Sequence, residues 1–237
     1  MRLCSQVLAE VDRSILEYLR RLSVGGERIA QLLDVGCWDG AATQRYAERL
    51  GAAALGIEIF DAPARSARQR GIDVAVLDLE RQPFPWLDSS VDLVIVNQVF
   101  EHLKNVWLPM SQVFRVLRVG GRLIVSVPNL ASFHNRVLLA LGLQPTSIRT
   151  LGPHVRGYTL GEISRFVTLG GCLVIERCWG VGFHPLPARL ASPLARLWPG
   201  GSHTVVLCAI KRASSAEAPW LSHLRGEQEG GLQTSYA

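Results

Sequence analysis

Three acidic residues each follow an apolar run in the first third of the chain, and two glycines come shortly after the first acid. The acids are Asp34, Glu58 and Asp78, and the glycines are Gly36 and Gly40. Glycine lets the backbone come close to a ligand and take positive φ angles. A carboxylate attracts positive charge and accepts hydrogen bonds, for example from the hydroxyls of a ribose. These residue types favour a cationic or zwitterionic ligand that carries an amino group and a ribose.

The loop that joins the two glycines argues against a dinucleotide site. A dinucleotide fingerprint has the pattern G-x-G-x-x-G, with the pyrophosphate over the start of the next helix. Residues 36–40 read GCWDG, so the second glycine is missing. Asp39 and Asp34 would also repel a pyrophosphate. A nicotinamide-dependent oxidoreductase is therefore an alternative that the sequence disfavours.

A second polar group follows the fourth apolar run. Asn97 and Gln98 end that run, and Glu101 and His102 follow three residues later. A histidine titrates near neutral pH, so His102 could take a proton from a hydroxyl group. The alternative is that Glu101 and His102 form a hydrogen-bonded cap of the next helix.

Apolar runs alternate with helical stretches along most of the chain. Such runs are typical of buried parallel strands, and the alternation predicts an α/β sheet with helices on both faces. We expect strands over residues 29–35, 52–59, 72–79, 91–98, 122–129, 172–179 and 203–211, and helices over 41–50, 62–70, 108–118 and 159–170. In such a sheet, ligands bind beyond the carboxyl ends of the strands, where the acids stand.

The end of the chain departs from this alternation. Pro185, Pro187, Pro193 and Pro199 interrupt the connection between the last two strands, so we expect no full helix there. The last two strands should then pair antiparallel, which gives a seven-stranded sheet that is mostly parallel with an antiparallel last strand.

The predicted organisation is a single domain over residues 1–212. Residues 1–27 should form a helical segment with an apolar face, residues 129–159 a cap over the substrate, and residues 213–237 a disordered tail. The apolar face of the first helix is carried by Val7, Val11, Ile15 and Leu19.

As a set, these stretches resemble the class I S-adenosylmethionine-dependent methyltransferases, which have a Rossmann-like sheet. The resemblance is carried by "LLDVGCWDG", "LGIEI", "VLDLE", "FPWLDSSVDLVIVNQVFEHL" and "LRVGGRLIVSVPN", and it covers residues 28–130 well. It implies S-adenosyl-L-methionine as cofactor. The implied cofactor-binding residues are Asp34, Gly36, Cys37 and Gly40 around the methionine part, Glu58 at the ribose, Asp78 and Leu79 at the adenine, and Asn97 and Gln98 near the methyl group. Trp38 departs from the small residue that most members have there.

We expect no metal ion. The stretch "NQVFEHL" resembles the E-x-x-E-H metal-linked pattern of ubiquinone-type O-methyltransferases, but Gln98 stands where that pattern has its first acid. The cysteines are odd in number and have no C-x-x-C spacing, which is typical of reduced thiols in a cytosolic protein.

The predicted cap is rich in basic residues and has no acid. Its candidate substrate-binding residues are His134, Arg136, His154, Arg156 and Tyr158. "NLASFHNRVLLALGLQPT" is loosely similar to bacterial methyltransferases of cell-surface polysaccharide and lipid pathways, which implies an anionic or phosphorylated acceptor. The alternative is that "VLLALGL" is a core helix and that the arginines cap loops.

The sequence therefore predicts a cytoplasmic methyltransferase that acts, at oxygen, on a small-molecule, sugar or lipid-linked acceptor. A non-catalytic cofactor-binding partner subunit is an alternative. Nucleic acid is not expected as a substrate, because Asn97 is not followed by the Pro-Pro-aromatic clamp that holds a flipped base. Leu190, Leu194 and Leu197 could rest on a membrane surface, or could pack against the domain or a second subunit.

Overall fold

The computed structural model describes residues 2–184, 186, 188–215 and 218–222. The strands are β1 (Gln31–Val35), β2 (Ala53–Glu58), β3 (Asp73–Val76), β4 (Val91–Asn97), β5 (Leu117–Pro128), β6 (Leu173–Val181) and β7 (Thr204–Lys211). The helices are α1 (Arg2–Val24), α2 (Ala41–Leu50), α3 (Asp61–Gln69), α4 (Trp107–Val116), α5 (Phe133–Ala140), α6 (Leu160–Val167) and α7 (Ala188–Leu197).

The seven strands form one sheet in the order β3-β2-β1-β4-β5-β7-β6. The pairs among β1 to β5 are parallel, whereas β7 runs antiparallel to both β5 and β6. The predicted seven-stranded Rossmann-like sheet with an antiparallel last strand is thus confirmed. The strand order reverses between β1 and β4, which is where a sheet of this kind leaves a crevice for a ligand.

Helices cover both faces of the sheet, as the sequence predicts. Successive strand residues point to opposite faces, so Leu32 packs with Val11 and Ile15 of α1 while Leu33 packs in the cluster that contains Val113 of α4. The apolar face predicted for the first helix is confirmed at Val11, Ile15 and Leu19, all of which are fully buried.

Two predictions for the last quarter of the chain are wrong. Helix α7 lies between β6 and β7, with Pro193 inside it, because Ala191 and Ala195 pack against Phe183. The predicted tail is not disordered at Trp220, which is fully buried, packs against the Phe114 ring and donates its indole N–H to the Phe166 carbonyl. Residues 216–217 and 223–237 of that predicted tail lie outside the described residues.

The cysteines that the structure describes are reduced thiols, as the sequence predicts. Cys37, Cys172, Cys178 and Cys208 are free, and Cys37 and Cys208 are buried. None of the helices within the described part of the chain combines the length and apolar character needed to cross a membrane.

Candidate active site

The predicted cofactor residues lie along one edge of the sheet. Parallel strands end on the same side, and β1 lies between β2 and β4, with Val35 aligned with Ile57 and with Val96. β3 pairs with β2, and Glu58 at the end of β2 is aligned with Val76 at the end of β3. Asp34, Glu58 and Asp78 therefore lie at the ends of three adjacent strands, with Asp34 beside the reversal of strand order, and their roles in binding remain predictions.

The glycines of the loop after β1 are required by packing as well as by backbone conformation. Gly36 and Gly40 have φ angles of +79° and +76°. A Cβ atom added at Gly36 would lie 2.7 Å from Cγ2 of Val99, and one at Gly40 would lie 2.4 Å from Cδ1 of Ile72. Both glycines were predicted to allow close approach of a ligand, and each also allows the loop to pack closely, Gly36 against Val99 and Gly40 against Ile72.

Asp34 is a buried acid in negative surroundings. Its Oδ2 accepts a hydrogen bond of 2.5 Å from the Thr43 hydroxyl on α2. The pKa of Asp34 is raised to about 7, mainly by burial and also by the nearby charges of Asp12 and Glu58, against the lowering effect of the Thr43 hydrogen bond. A positively charged ligand at this place would restore the ionised form of Asp34.

Glu58 is held by the backbone of two loops. Its Oε2 accepts from the Trp38 N–H at 3.0 Å, and its Oε1 accepts from the N–H groups of Ile59 and Phe60 at 2.9 and 3.0 Å. A carboxylate has about four acceptor sites, so these three hydrogen bonds fix the orientation and one site, on Oε2, stays available to a hydroxyl donor. Glu58 can thus be positioned before any ligand arrives.

Trp38 has a positive φ angle, a backbone conformation that glycine adopts most readily. Its φ angle is +51°, which non-glycine residues adopt at a cost of about 1–2 kcal/mol. Its side chain is 59% exposed and meets the Phe60 ring edge to face, with ring centroids 6.2 Å apart. Trp38 therefore adopts a positive-φ conformation in this loop although it is not a glycine.

The remaining predicted cofactor residues of this half are Asp78, Leu79 and Cys37. The Asp78 Oδ1 accepts from the Glu80 N–H at 2.9 Å, which holds the carboxylate at the turn after β3, and Leu79 is buried. Cys37 is buried, and burial raises the pKa of its thiol to about 12, so Cys37 acts as a neutral packing residue.

Asn97 and Gln98 join a polar network that sequence reasoning missed. The Asn97 amide donates to Asp12 at 3.0 Å, and the Asn97 carbonyl oxygen accepts from the Ser126 hydroxyl. The Tyr46 hydroxyl also donates to Asp12, at 2.7 Å. Gln98 has a φ angle of +57° and its amide donates to Ser126 at 3.1 Å. Asp12 lies 85 residues before Asn97 in the chain, so no local pattern indicates this contact.

Glu101 and His102 form a short 3-10 helix, Phe100–His102, just beyond β4. Glu101 is 1% exposed, and burial raises its pKa to about 8. The His102 ring packs edge to face with His154 of the cap, with centroids 4.9 Å apart. Partial burial lowers the pKa of His102, which favours the neutral ring that can accept a proton. The predicted catalytic residues Glu101 and His102 therefore lie next to His154, one of the predicted substrate-binding residues.

The other predicted substrate residues hold the cap in place. Arg156 donates to the carbonyl oxygens of Leu103 and Lys104, and the hydroxyl of buried Tyr158 donates to the Phe100 carbonyl at 3.4 Å. The guanidinium of Arg136 donates to the Ala131 carbonyl at 2.7 Å and lies over the Trp198 ring. The alternative that these arginines cap loops therefore agrees with the structure, and their contact with an acceptor remains a prediction.

His134 lies in a different group from His154. Its ring stacks on His203 at 5.6 Å and meets His184 at 5.4 Å, and its Nε2 is 2.7 Å from the Thr146 hydroxyl. The five predicted substrate residues are therefore not a single cluster.

Residues 102–161 contain no acid, and three arginines of this stretch pair with acids from outside it. Arg115 pairs with Asp88 at 2.7 Å, Arg118 pairs with Asp92, and Arg122 pairs with Glu27 and Glu176. Of the lysines and arginines in this stretch, Lys104 and the cap arginines are left to attract an anion.

Comparisons with known proteins agree with this geometry. A family model described as a methyltransferase domain matches residues 33–125. A probable S-adenosylmethionine-dependent methyltransferase of Mycolicibacterium smegmatis is 32% identical over 212 residues, which cover 86% of this chain and 74% of that protein. A ubiquinone biosynthesis O-methyltransferase of Hahella chejuensis is 30% identical over 128 residues, 52% of either protein. An S-adenosylmethionine-dependent methyltransferase from Mesorhizobium loti shares the fold, with a TM-score of 0.55 at 18% identity over 78% of this chain and 93% of that one.

Proposed function

Because the chain belongs to the S-adenosylmethionine-dependent methyltransferases, we propose that it methylates a hydroxyl oxygen of a small-molecule, sugar or lipid-linked acceptor. The enzyme class and the cofactor follow from the family. The choice of oxygen, the acceptor and the roles of individual residues are the content of the proposal.

The strand-end acids suit the cofactor in charge and in hydrogen bonding. S-adenosylmethionine supplies a methyl group on a positively charged sulfur, which departs as a neutral thioether and needs no acid. Asp12, Asp34 and Glu58 bring negative charge to one place, and burial holds Asp34 partly neutral until a cation arrives. We assign Asp34 to the methionine part and Glu58, with its oriented carboxylate, to the ribose hydroxyls.

Methyl transfer of this kind depends mainly on positioning. The nucleophile must approach the methyl carbon in line and without competing water, which supplies most of the rate. Asn97 and Gln98 end β4, and hydrogen bonds to Asp12 and Ser126 hold their side chains. We assign these two residues to the wall of the cofactor site near the methyl group.

The observation that carries the choice of oxygen is the group of Glu101, His102 and His154 just beyond β4. A hydroxyl must lose its proton during attack, whereas a neutral amine can attack directly. His102 has a lowered pKa and is therefore a neutral proton acceptor at pH 7. The similarity to an O-methyltransferase over half of the chain supports the same choice.

The cap and helix α7, which we assign to the acceptor side of the molecule, have exposed apolar side chains and basic residues. Leu139, Leu141, Leu143 and Leu151 of the cap are exposed, as are Leu190 and Leu197 of α7. The cap also carries Arg136, Arg149 and Arg156 and no acid. An acceptor with an apolar part and a negative group suits this surface, which is the support for a lipid-linked or phosphorylated acceptor and for contact with a membrane surface.

The test uses cofactor with an isotopically labelled methyl group and pairs of acceptors that differ only in a hydroxyl or an amino group. We expect label on the hydroxyl member, located by mass spectrometry, with one S-adenosylhomocysteine formed per transfer. Label on the amine or on carbon alone would refute O-methylation. No transfer to any acceptor, with cofactor binding intact, would favour a non-catalytic cofactor-binding subunit.

A matched pair of variants tests the assignment at the ribose. Glu58→Gln keeps the shape of the side chain but removes its charge, so we expect cofactor binding to weaken about 10- to 100-fold. The exposed Glu48→Gln on α2 removes the same charge away from the strand ends and should bind as the wild type does. Equal binding by all three proteins would contradict the assignment of Glu58.

A further inference from the structure

The carboxylate of Glu101 is buried without a partner. The residue is 1% exposed, and neither Oε1 nor Oε2 has a hydrogen-bond partner in any other residue that the structure describes; only its own backbone N–H lies near enough to lower the pKa of the carboxyl group. A buried polar group without a partner is unfavourable by about 1–3 kcal/mol, and few such groups occur in a protein. The position of Glu101 therefore indicates that something binds this carboxylate.

Two histidines beside Glu101 are oriented by backbone carbonyl groups. The Nδ1 of His102 is 3.3 Å from the Pro153 carbonyl oxygen, and the Nδ1 of His154 is 2.8 Å from the Ser147 carbonyl oxygen. A carbonyl oxygen only accepts, so each Nδ1 carries the proton and each neutral ring keeps the lone pair on Nε2. Metal-binding histidines are commonly fixed in this way, with the second nitrogen donating to a carbonyl group.

We propose that Glu101, His102 and His154 bind one divalent transition-metal ion. One donor atom from each side chain lies within 4.8 Å of the other two. Donors around a tetrahedral ion at about 2.1 Å are about 3.4 Å apart, so the donors would have to approach one another by at most about 1.4 Å. Two imidazoles and one carboxylate suit Zn²⁺, Mn²⁺ or Fe²⁺, whereas Mg²⁺ and Ca²⁺ prefer oxygen ligands.

The expectation of no metal ion considered only the ligands in one short stretch, where Gln98 stands in place of an acid. The Gln98 amide donates to Ser126 and is not one of the three donors. The third donor comes from His154, 52 residues after His102 in the chain. His102 lies at the surface and His154 is half-buried, so ligand positions remain open toward solvent or an acceptor.

The role of the ion, unlike its binding, rests on the proposed function. On that proposal the acceptor oxygen approaches the methyl group just beyond β4, where the ion would lie. The bound ion would occupy the Nε2 lone pair of His102 and would itself favour the ionised form of the hydroxyl group, so His102 is the proton acceptor only in the metal-free protein.

The test is calorimetric titration with Zn²⁺ and with Mg²⁺, together with visible absorption on Co²⁺ binding. We expect one Zn²⁺ per chain, a Co²⁺ spectrum typical of nitrogen and oxygen ligands, and at least tenfold weaker Mg²⁺ binding. Glu101→Gln and His154→Ala should each weaken Zn²⁺ binding at least tenfold. The matched control is His184→Ala, which removes an exposed histidine of the other group and should leave Zn²⁺ affinity unchanged.

S-adenosylmethionine affinity is measured on the same samples. Cofactor binding in every variant shows that it is folded. Absence of Zn²⁺ binding by the wild type, or equal binding by Glu101→Gln and His154→Ala, would overturn the metal site even if the cofactor binds. Zn²⁺ binding without cofactor binding would instead refute the proposed function and leave the metal site standing.

Discussion

The strand-end edge of the sheet and the cap differ in how their side chains are held. At the strand ends, Asp34 and Glu58 are fixed by strand register, by glycine packing and by short contacts to neighbouring loops. The cap over residues 129–159 has one α-helix of eight residues and one short 3-10 helix, and it depends on side chains bonded to backbone groups. The difference indicates a preorganised cofactor half and an acceptor half that can adjust locally.

The largest effect that tests this difference is expected at the loop after β1. Gly40→Ala places a Cβ 2.4 Å from Ile72 and 2.9 Å from the Ala67 Cα, at a φ angle of +76°. We expect the free energy of unfolding to fall by about 2–5 kcal/mol, from backbone strain plus overpacking. Denaturant unfolding measures it.

Gly71→Ala is the matched control for this change. Gly71 has a φ angle of +81°, but an added Cβ meets nothing within 4 Å. Gly71→Ala should therefore lower the free energy of unfolding only through backbone strain at positive φ, by about 1–2 kcal/mol. If the two variants are equally stable, close packing does not fix the cofactor loop.

The cap should respond locally to loss of Asn135. This buried side chain donates to the Asn129 carbonyl and the Ser147 hydroxyl, and it accepts from the Thr146 N–H. Asn135→Ala should cost about 1–3 kcal/mol of local stability, seen as faster hydrogen exchange over residues 141–153. Cofactor affinity should change less than twofold, and exposed Leu139→Ala should change neither quantity. Faster exchange across the strand ends would show that the two halves are not independent.

The pH dependence of cofactor binding reports on Asp34. Its raised pKa of about 7 leaves it neutral at lower pH and charged at higher pH, so binding of a cation should be about tenfold tighter at pH 8 than at pH 6. In the cofactor-free protein, the free energy of unfolding changes with pH in the opposite direction. The stabilising contribution of the neutral form is complete below about pH 4 and is lost as the pH rises through 7. Asp34→Asn should abolish both dependences, and an unchanged profile in that variant would assign the titration to another group.

The smallest effect is expected at Trp38. Trp38→Gly removes a positive-φ cost of about 1–2 kcal/mol, but it also loses the Phe60 contact and gains freedom in the unfolded chain. The net change in the free energy of unfolding should stay below about 1 kcal/mol, and cofactor affinity should change less than threefold. A loss above tenfold in calorimetry would mean that the exposed indole contacts the cofactor.

The sequence predicted the sheet and its strand ends because both depend on local patterns. Continuous apolar runs mark the buried strands. The acids at the ends of the first two strands could then be located from their order in the chain alone. The helix α7 was missed because four prolines argue against a helix, whereas packing of Ala191 and Ala195 stabilises it.

Contacts between distant segments could not be predicted in this way. Asp12 reaches Asn97, His154 reaches His102, and Trp220 enters the core beside Phe114. Each joins parts of the chain that no period or spacing relates. The polar, glycine-rich composition of the last 25 residues predicted disorder, and burial of one large aromatic ring outweighs that composition at Trp220.

The most direct test of the account is S-adenosylmethionine calorimetry on the wild type, Asp34→Asn and His154→Ala. We expect a micromolar dissociation constant for the wild type, about −8 kcal/mol, and at least a tenfold loss in Asp34→Asn. His154→Ala should stay within twofold of the wild type, because the cap lies on the acceptor side. Wild-type affinity in Asp34→Asn, or an equal loss in His154→Ala, would contradict cofactor binding by the strand-end acids.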